Sequence, residues 1–137
     1  MSRLARVAAV LGLAVLIASP ARASDGPLER AAGSWLALLD AGRFDDAWNQ
    51  GAELLRSSES RSEWEDATRR LRESMGAVAS REAVTKDYHQ DLNGVPGIFF
   101  TLRFRTRLED GREVVEVVTL TPDASQQYRA VAYGLKQ

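Results

Sequence analysis

The stretch GIFFTLRFRTRLEDGREVVEVVTLT, Gly97 to Thr121, decides how this chain folds. Phe100, Leu102, Phe104, Thr106 and Leu108 share one parity, and Thr101, Arg103, Arg105 and Arg107 share the other. That period of two belongs to a strand buried on one face. Asp110-Gly111 is a strong hairpin signal, because both residue types tolerate the positive φ that a two-residue turn requires. A two-residue loop sets Phe104 against Val117, Thr106 against Val115, Leu102 against Thr119 and Arg105 against Glu116. A three-residue loop instead slides Glu116 opposite Phe104 and turns a carboxylate onto the apolar face, so the shorter loop is expected. Arg105 and Glu116 then form a cross-strand pair worth about 0.2–1 kcal/mol, small beside the burial of the aromatic and aliphatic side chains.

Upstream, the period lengthens to that of helices. Pro27 suits a first helical turn and Gly42 a position just past the end, and between them Leu28, Ala32, Trp35 and Leu39 form an apolar stripe that Ala31, Leu36 and Leu38 widen. A second helix is expected from Phe44 to Leu55, with Phe44, Trp48, Gly51 and Leu55 on one face and Asp45 and Asp46 at the positive end of its dipole. Ser57 to Ser62 is a polar connector. Ser60 and Glu63 make a capping box for a third helix, in which Trp64, Ala67, Leu71 and Met75 face one way and Gly76 ends the run. Ala77 to Tyr88 reads as an edge strand with a bulge, since its alternation is poor. Asn93-Gly94 and Pro96-Gly97 mark a loop before the hairpin. Pro122-Asp123 closes the hairpin, and a last strand runs from Gln127 to Leu135 with Val131, Tyr133 and Leu135 on one parity. The layout is α+β: three helices on one face of a four-stranded antiparallel meander. Each helix carries one Trp. Losing a buried Trp costs about 3–5 kcal/mol, so packing is the first duty of all three, with an aromatic binding site as the sharper alternative.

The start of the chain reads differently. Arg3 and Arg6 precede an apolar run from Val7 to Ile17, and Ala21-Arg22-Ala23 fits a small-x-small cleavage site. This is the pattern of an export signal, too short in its apolar part for a membrane-spanning helix. Cleavage after Ala23 is expected, giving a leader over 1–23 and a single α+β domain over 24–137, periplasmic or secreted. The chain has no Cys, which excludes a disulfide brace and a lipid anchor through a leader cysteine. Its 18 basic and 19 acidic side chains give a net charge of −1, and the leader holds Arg but no acid, so the remainder is mildly acidic. Nucleic acid is therefore not an expected partner, and no membrane association is expected once the leader is removed.

The segments SWLALLDAGRFDDAWN (Ser34 to Asn49) and RSEWEDATRRLRESMGAVASRE (Arg61 to Glu82), with VVEVVTLT and QYRAVAYGL at the end, resemble the bacterial domain-of-unknown-function family number 4019. The resemblance covers nearly all of the chain beyond the leader. It implies an exported single domain and carries over no catalytic residue. Departures are Tyr128, where a Trp is expected, and the small Ala130 and Gly134. The order of helices and strands also resembles cystatin-like and nuclear-transport-factor-2-like rolls, which often enclose a conical pocket. That likeness is one of fold alone.

Few residues offer chemistry. With no Cys, no G-x-S-x-G and one His, nucleophilic catalysis would have to pass through His89. Asp87, His89 and Asp91 recur every second residue, a spacing that sets three divalent-metal ligands on one strand face, beside a loop where solvated polar residues are equally expected. A pocket enzyme or ligand-binding protein on a roll fold would use Asp87 or His89 as general base with Tyr88, Tyr128 or Tyr133 as hydroxyl donor. No cofactor is expected. Arg103, Arg105 and Arg107 line the second hairpin face, interleaved with Val114, Glu116, Val118 and Leu120, a mixture that fits a protein interface or arginine stems lying over valines. A helical-repeat reading of Ala41-Gly42-Arg43-Phe44-Asp45-Asp46-Ala47 fails, because no second copy follows at the required period. The expectation is thus an exported module that binds a protein partner or a second copy of itself through its sheet, with the pocket enzyme as the alternative class.

Overall fold

The computed structural model describes residues 26–137, so the leader and its cleavage site lie outside the described residues. The hairpin consists of β2 (Val95–Leu108) and β3 (Glu113–Pro122). Its loop has three residues, not two. The Leu108 amide donates to the Arg112 carbonyl at 2.8 Å and the Gly111 amide to the Leu108 carbonyl at 3.0 Å, with Gly111 at φ 89°. A type I turn followed by a left-handed glycine closes a three-residue loop in this way. Asp110 secures it by accepting from the Arg112 amide at 2.9 Å, and the Arg112 guanidinium donates to the Met75 carbonyl at 2.8 Å. The register follows: Phe104 faces Glu116, Leu102 faces Val118 and Arg105 faces Val115. The expected partnership of Arg105 with Glu116 is overturned, and Glu116 lies on the helix side with no exposed surface.

The sheet order is β1-β2-β3-β4, all antiparallel, with β1 spanning Val78–Leu92 and β4 Tyr128–Leu135. The first strand is an edge strand with register shifts at three places, as its poor alternation implies, and it runs four residues beyond the expected end. Pro96-Gly97 belongs to β2, and the connection is a tight turn at Asn93 and Gly94, both with positive φ. Among the described residues four helices precede the sheet where three are expected: α1 (Pro27–Asp40), α2 (Phe44–Gln50), α3 (Glu53–Ser58) and α4 (Arg61–Met75). The helix expected over Phe44–Leu55 breaks because Gly51 and Ala52 are extended, and the Ala52 amide leaves the helix to donate to the Ala130 carbonyl of β4 at 2.8 Å. A bond to the sheet edge replaces the helical one. The Ser60 cap is present, its hydroxyl accepting from the Glu63 amide at 3.3 Å.

Trp35, Trp48 and Trp64 are buried together with Leu102, Phe104, Val118, Leu120 and Ala130 of the sheet. Ring centroids lie 6.1 Å apart for Trp35 and Trp64 and 5.6 Å apart for Trp48 and Trp64, the range in which tilted rings attract. The Trp35 indole also donates to the Ala47 carbonyl at 2.9 Å, which ties α1 to α2. Phe99, on the opposite parity from Phe100, joins a smaller cluster with Ala52 and Val131. Large exposed apolar side chains are Val84, Tyr88, Val95 and Ile98, all on the hairpin of β1 and β2.

Candidate functional site

The polar centre of the fold was not legible from strand patterning. The Glu116 carboxylate accepts from Arg81 Nε at 2.7 Å and Thr106 Oγ1 at 2.5 Å through one oxygen. Its other oxygen accepts from the Tyr133 hydroxyl at 2.6 Å and Arg72 Nη1 at 3.1 Å. Both guanidiniums continue to Asp40, Arg81 at 2.9 and 3.0 Å and Arg72 through Nη2. One residue thus comes from α1, α4 and each of the four strands, and the two cations and two carboxylates balance. Burial works against ionisation of Asp40, but the hydrogen bonds and charges of Arg81 and Arg72 outweigh it and hold its carboxyl below the ordinary value. Burial, and then the neighbouring Glu116 charge, push the Tyr133 phenol well above its ordinary value. The Tyr133 hydroxyl is therefore engaged and protonated, which removes it as a proton donor toward an apolar pocket. A signal was present in the sequence: Arg72 falls on the stripe Trp64, Thr68, Arg72, Met75, all buried.

The other expected site residues fall apart from this cluster. Asp87 faces Thr101, His89 faces Phe99 and Asp91 faces Pro96, with a register shift between His89 and Asp91 that breaks the period of two. All three are exposed. The Asp91 carboxylate accepts from the Gly94 amide at 3.0 Å and so serves the turn. Among the described residues no group of three or more His, Cys, Asp or Glu is placed to hold a metal ion. Tyr88 is 53% exposed, with its ring 5.4 Å from Phe100, and Tyr128 packs edge-on against the same Phe100.

Arg103, Arg105 and Arg107 do share the face away from Phe104, but their neighbours change with the register. Val115, Val117 and Thr119 stand beside them in place of Val114, Glu116, Val118 and Leu120. Arg105 pairs with Glu113 at 3.3 Å in the open, and the Arg103 Nε is buried with no hydrogen-bond partner among the described residues.

A groove of about 560 Å³ runs beside β4. Leu54 of α3, Trp64 and Leu71 of α4, Leu92 and Val95 of the β1–β2 hairpin, and Val131 of β4 wall it, and among the described residues Glu59 is the only charged one lining it. A cleft of about 770 Å³ between the α2–α3 break and the turn after β3 is larger, but it is lined by four charged residues, Glu53, Arg56, Asp123 and Arg129; Arg129 holds Asp123 at 3.0 Å and Arg56 donates to the Asn49 carbonyl at 3.3 Å. Apolar walls with few polar groups mark the groove, not the larger cleft, as the place for a ligand. Among the described residues no helix is long and apolar enough to cross a membrane.

No match was found among curated proteins or among solved structures. The model of one family, described as a protein of unknown function (DUF4019), covers residues 31–133, which takes in the Trp helices, the charged centre and nearly all of the sheet. The chain belongs to that family.

Proposed function

We propose that this protein is an exported binding module on a cystatin-like or nuclear-transport-factor-2-like roll, and that its partner is a protein seated in the groove beside β4. The observation that carries the reading is the groove itself: about 560 Å³, within the few hundred to about a thousand Å³ usual for ligand sites, with a wall of Leu, Val and Trp. Val95, 41% exposed, sits at its lip on the hairpin that also carries the other large exposed apolar side chains. Catalysis is the weaker class, because Asp87, Tyr88 and His89 face solvent on an edge strand and Tyr133 is tied to Glu116. Removal of the leader after Ala23 delivers the domain to its compartment, and N-terminal sequencing of the exported protein checks that step.

The groove is tested by a photo-crosslinking amino acid at Val95 in living cells, with the exposed Glu73 of α4 as control. Adducts form at position 95 and not at 73. Equal yields at the two positions sink the reading. A second contact is favoured by the sheet face itself, where exposed Arg105 and Arg107 stand beside half-buried Val115 and Val117, a mixture that another molecule, including a second copy, would cover. Charge reversal at Arg105 then weakens the association while the fold survives. A monomer in both versions, with nothing recovered in pull-downs, removes it.

A further inference from the structure

We infer that the groove takes its partner by strand addition, an extended peptide pairing with the outer edge of β4. This rests on the groove being the binding site and goes further by naming the mode and the chemistry. The phase of the ladder decides which backbone groups are free. The Lys136 amide donates to the Val115 carbonyl at 2.9 Å, and Leu135 faces Glu116 while Tyr133 faces Val118. In an antiparallel ladder, hydrogen-bonded pairs alternate with pairs whose amides and carbonyls point away from each other. Gly134 therefore bonds toward β3, and Tyr133 and Leu135 turn their amides and carbonyls outward. Among the described residues the sheet ends at β4, and no strand of theirs receives these groups.

The chain already uses this edge once. The Ala130 carbonyl accepts from Ala52 at 2.8 Å, so an added strand would continue a contact that the protein itself begins. The opposite edge is unsuited to the same use. Three register shifts bend β1, and Glu82, Lys86 and Asp87 stand along it, the devices that keep edges from pairing. From Ala130 to Leu135 the outer edge carries no charge and one wall of the groove. Leu54, Leu71 and Val95 around it call for apolar, β-branched side chains on the visitor, and Glu59 at the rim calls for a basic one. Two outward residues offer up to four backbone bonds, matched by a strand of about five residues.

The test selects heptapeptides from a random displayed library against the full-length chain, and scans the tightest binder by N-methylating one backbone amide at a time. Strand addition gives a period-two result: methylation at alternate positions weakens binding roughly tenfold or more, and the positions between are silent. The bound peptide moves the Tyr133 and Leu135 amide resonances, and its sequence carries Val, Ile or Thr with a Lys or Arg and no Pro at the sensitive positions. A flat methylation scan for a peptide that Val95→Arg still displaces overturns strand addition and leaves the groove as the site. Selection that yields only peptides insensitive to Val95→Arg, or occupation of the groove by a detergent such as dodecyl maltoside with no peptide bound, overturns strand addition and the protein-partner reading together.

Discussion

Replacing Glu116 with Gln tests the three-residue loop and the buried network together. Glu116 has no exposed surface, and the side chains of Arg72 and Arg81 are 8% and 13% exposed. With the carboxylate gone, two nearly buried guanidiniums share only Asp40, and the new amide turns donors toward groups that are themselves donors. Removing one partner of a buried ion pair costs about 3–5 kcal/mol. For a domain of this size each kcal/mol lowers Tm by roughly 4 °C, so a fall of about 12–20 °C is expected. Urea titration followed by tryptophan fluorescence is the assay, with the midpoint falling and the slope unchanged. The comparison variant is Arg105→Ala, which breaks an open pair whose side chains are 55% and 49% exposed. It costs under about 1 kcal/mol. In the register with a two-residue loop, Arg105 would be the partner of Glu116 and the order of the two effects would shrink or reverse. A Glu116→Gln protein within 1 kcal/mol of the parent, or an Arg105→Ala protein as damaged as it, refutes the reasoning.

Tyr133→Phe removes the hydroxyl that donates to Glu116 at 2.6 Å and should cost about 1.5–3 kcal/mol in the same titration, with the edge-on contact to Trp35 retained. Asp40 has its folded pKa below the ordinary value of 3.8, so its stabilising contribution is complete above that value and is lost as pH falls through the lower folded one. Asp40→Asn, expected to cost about 1–2 kcal/mol at neutral pH because the side chain is one-third exposed, should also flatten the acid limb of stability against pH, read from urea midpoints down to acid. Gly111→Ala, at φ 89° with open space around the new methyl, should cost about 1 kcal/mol or more from backbone strain alone, and a neutral result would argue against the left-handed glycine in the loop.

Much of what depended on near neighbours was legible in the sequence, although Pro96-Gly97, expected in a loop, lies within β2. The alternation from Phe100 to Leu108 marked a strand buried on one face, the Ser60 cap marked the start of α4, and the three Trp marked the helix layer, because hydrophobic period and capping act over a few residues. What the tertiary structure decided was where charge is permitted inside. Read locally, Glu116 on the apolar face is a penalty, and that penalty favoured the wrong loop. Its cationic partners stand 44 and 35 residues away at Arg72 and Arg81, and only the packing of α4 over the sheet and the placing of β1 one strand away from β3 bring them within reach. The break at Gly51-Ala52 has the same origin, since the acceptor that rewards it is the Ala130 carbonyl on the last strand. The groove beside β4 is equally nonlocal: α3, α4, the hairpin tip and β4 each supply one wall, and no segment of the sequence holds a record of the space between them.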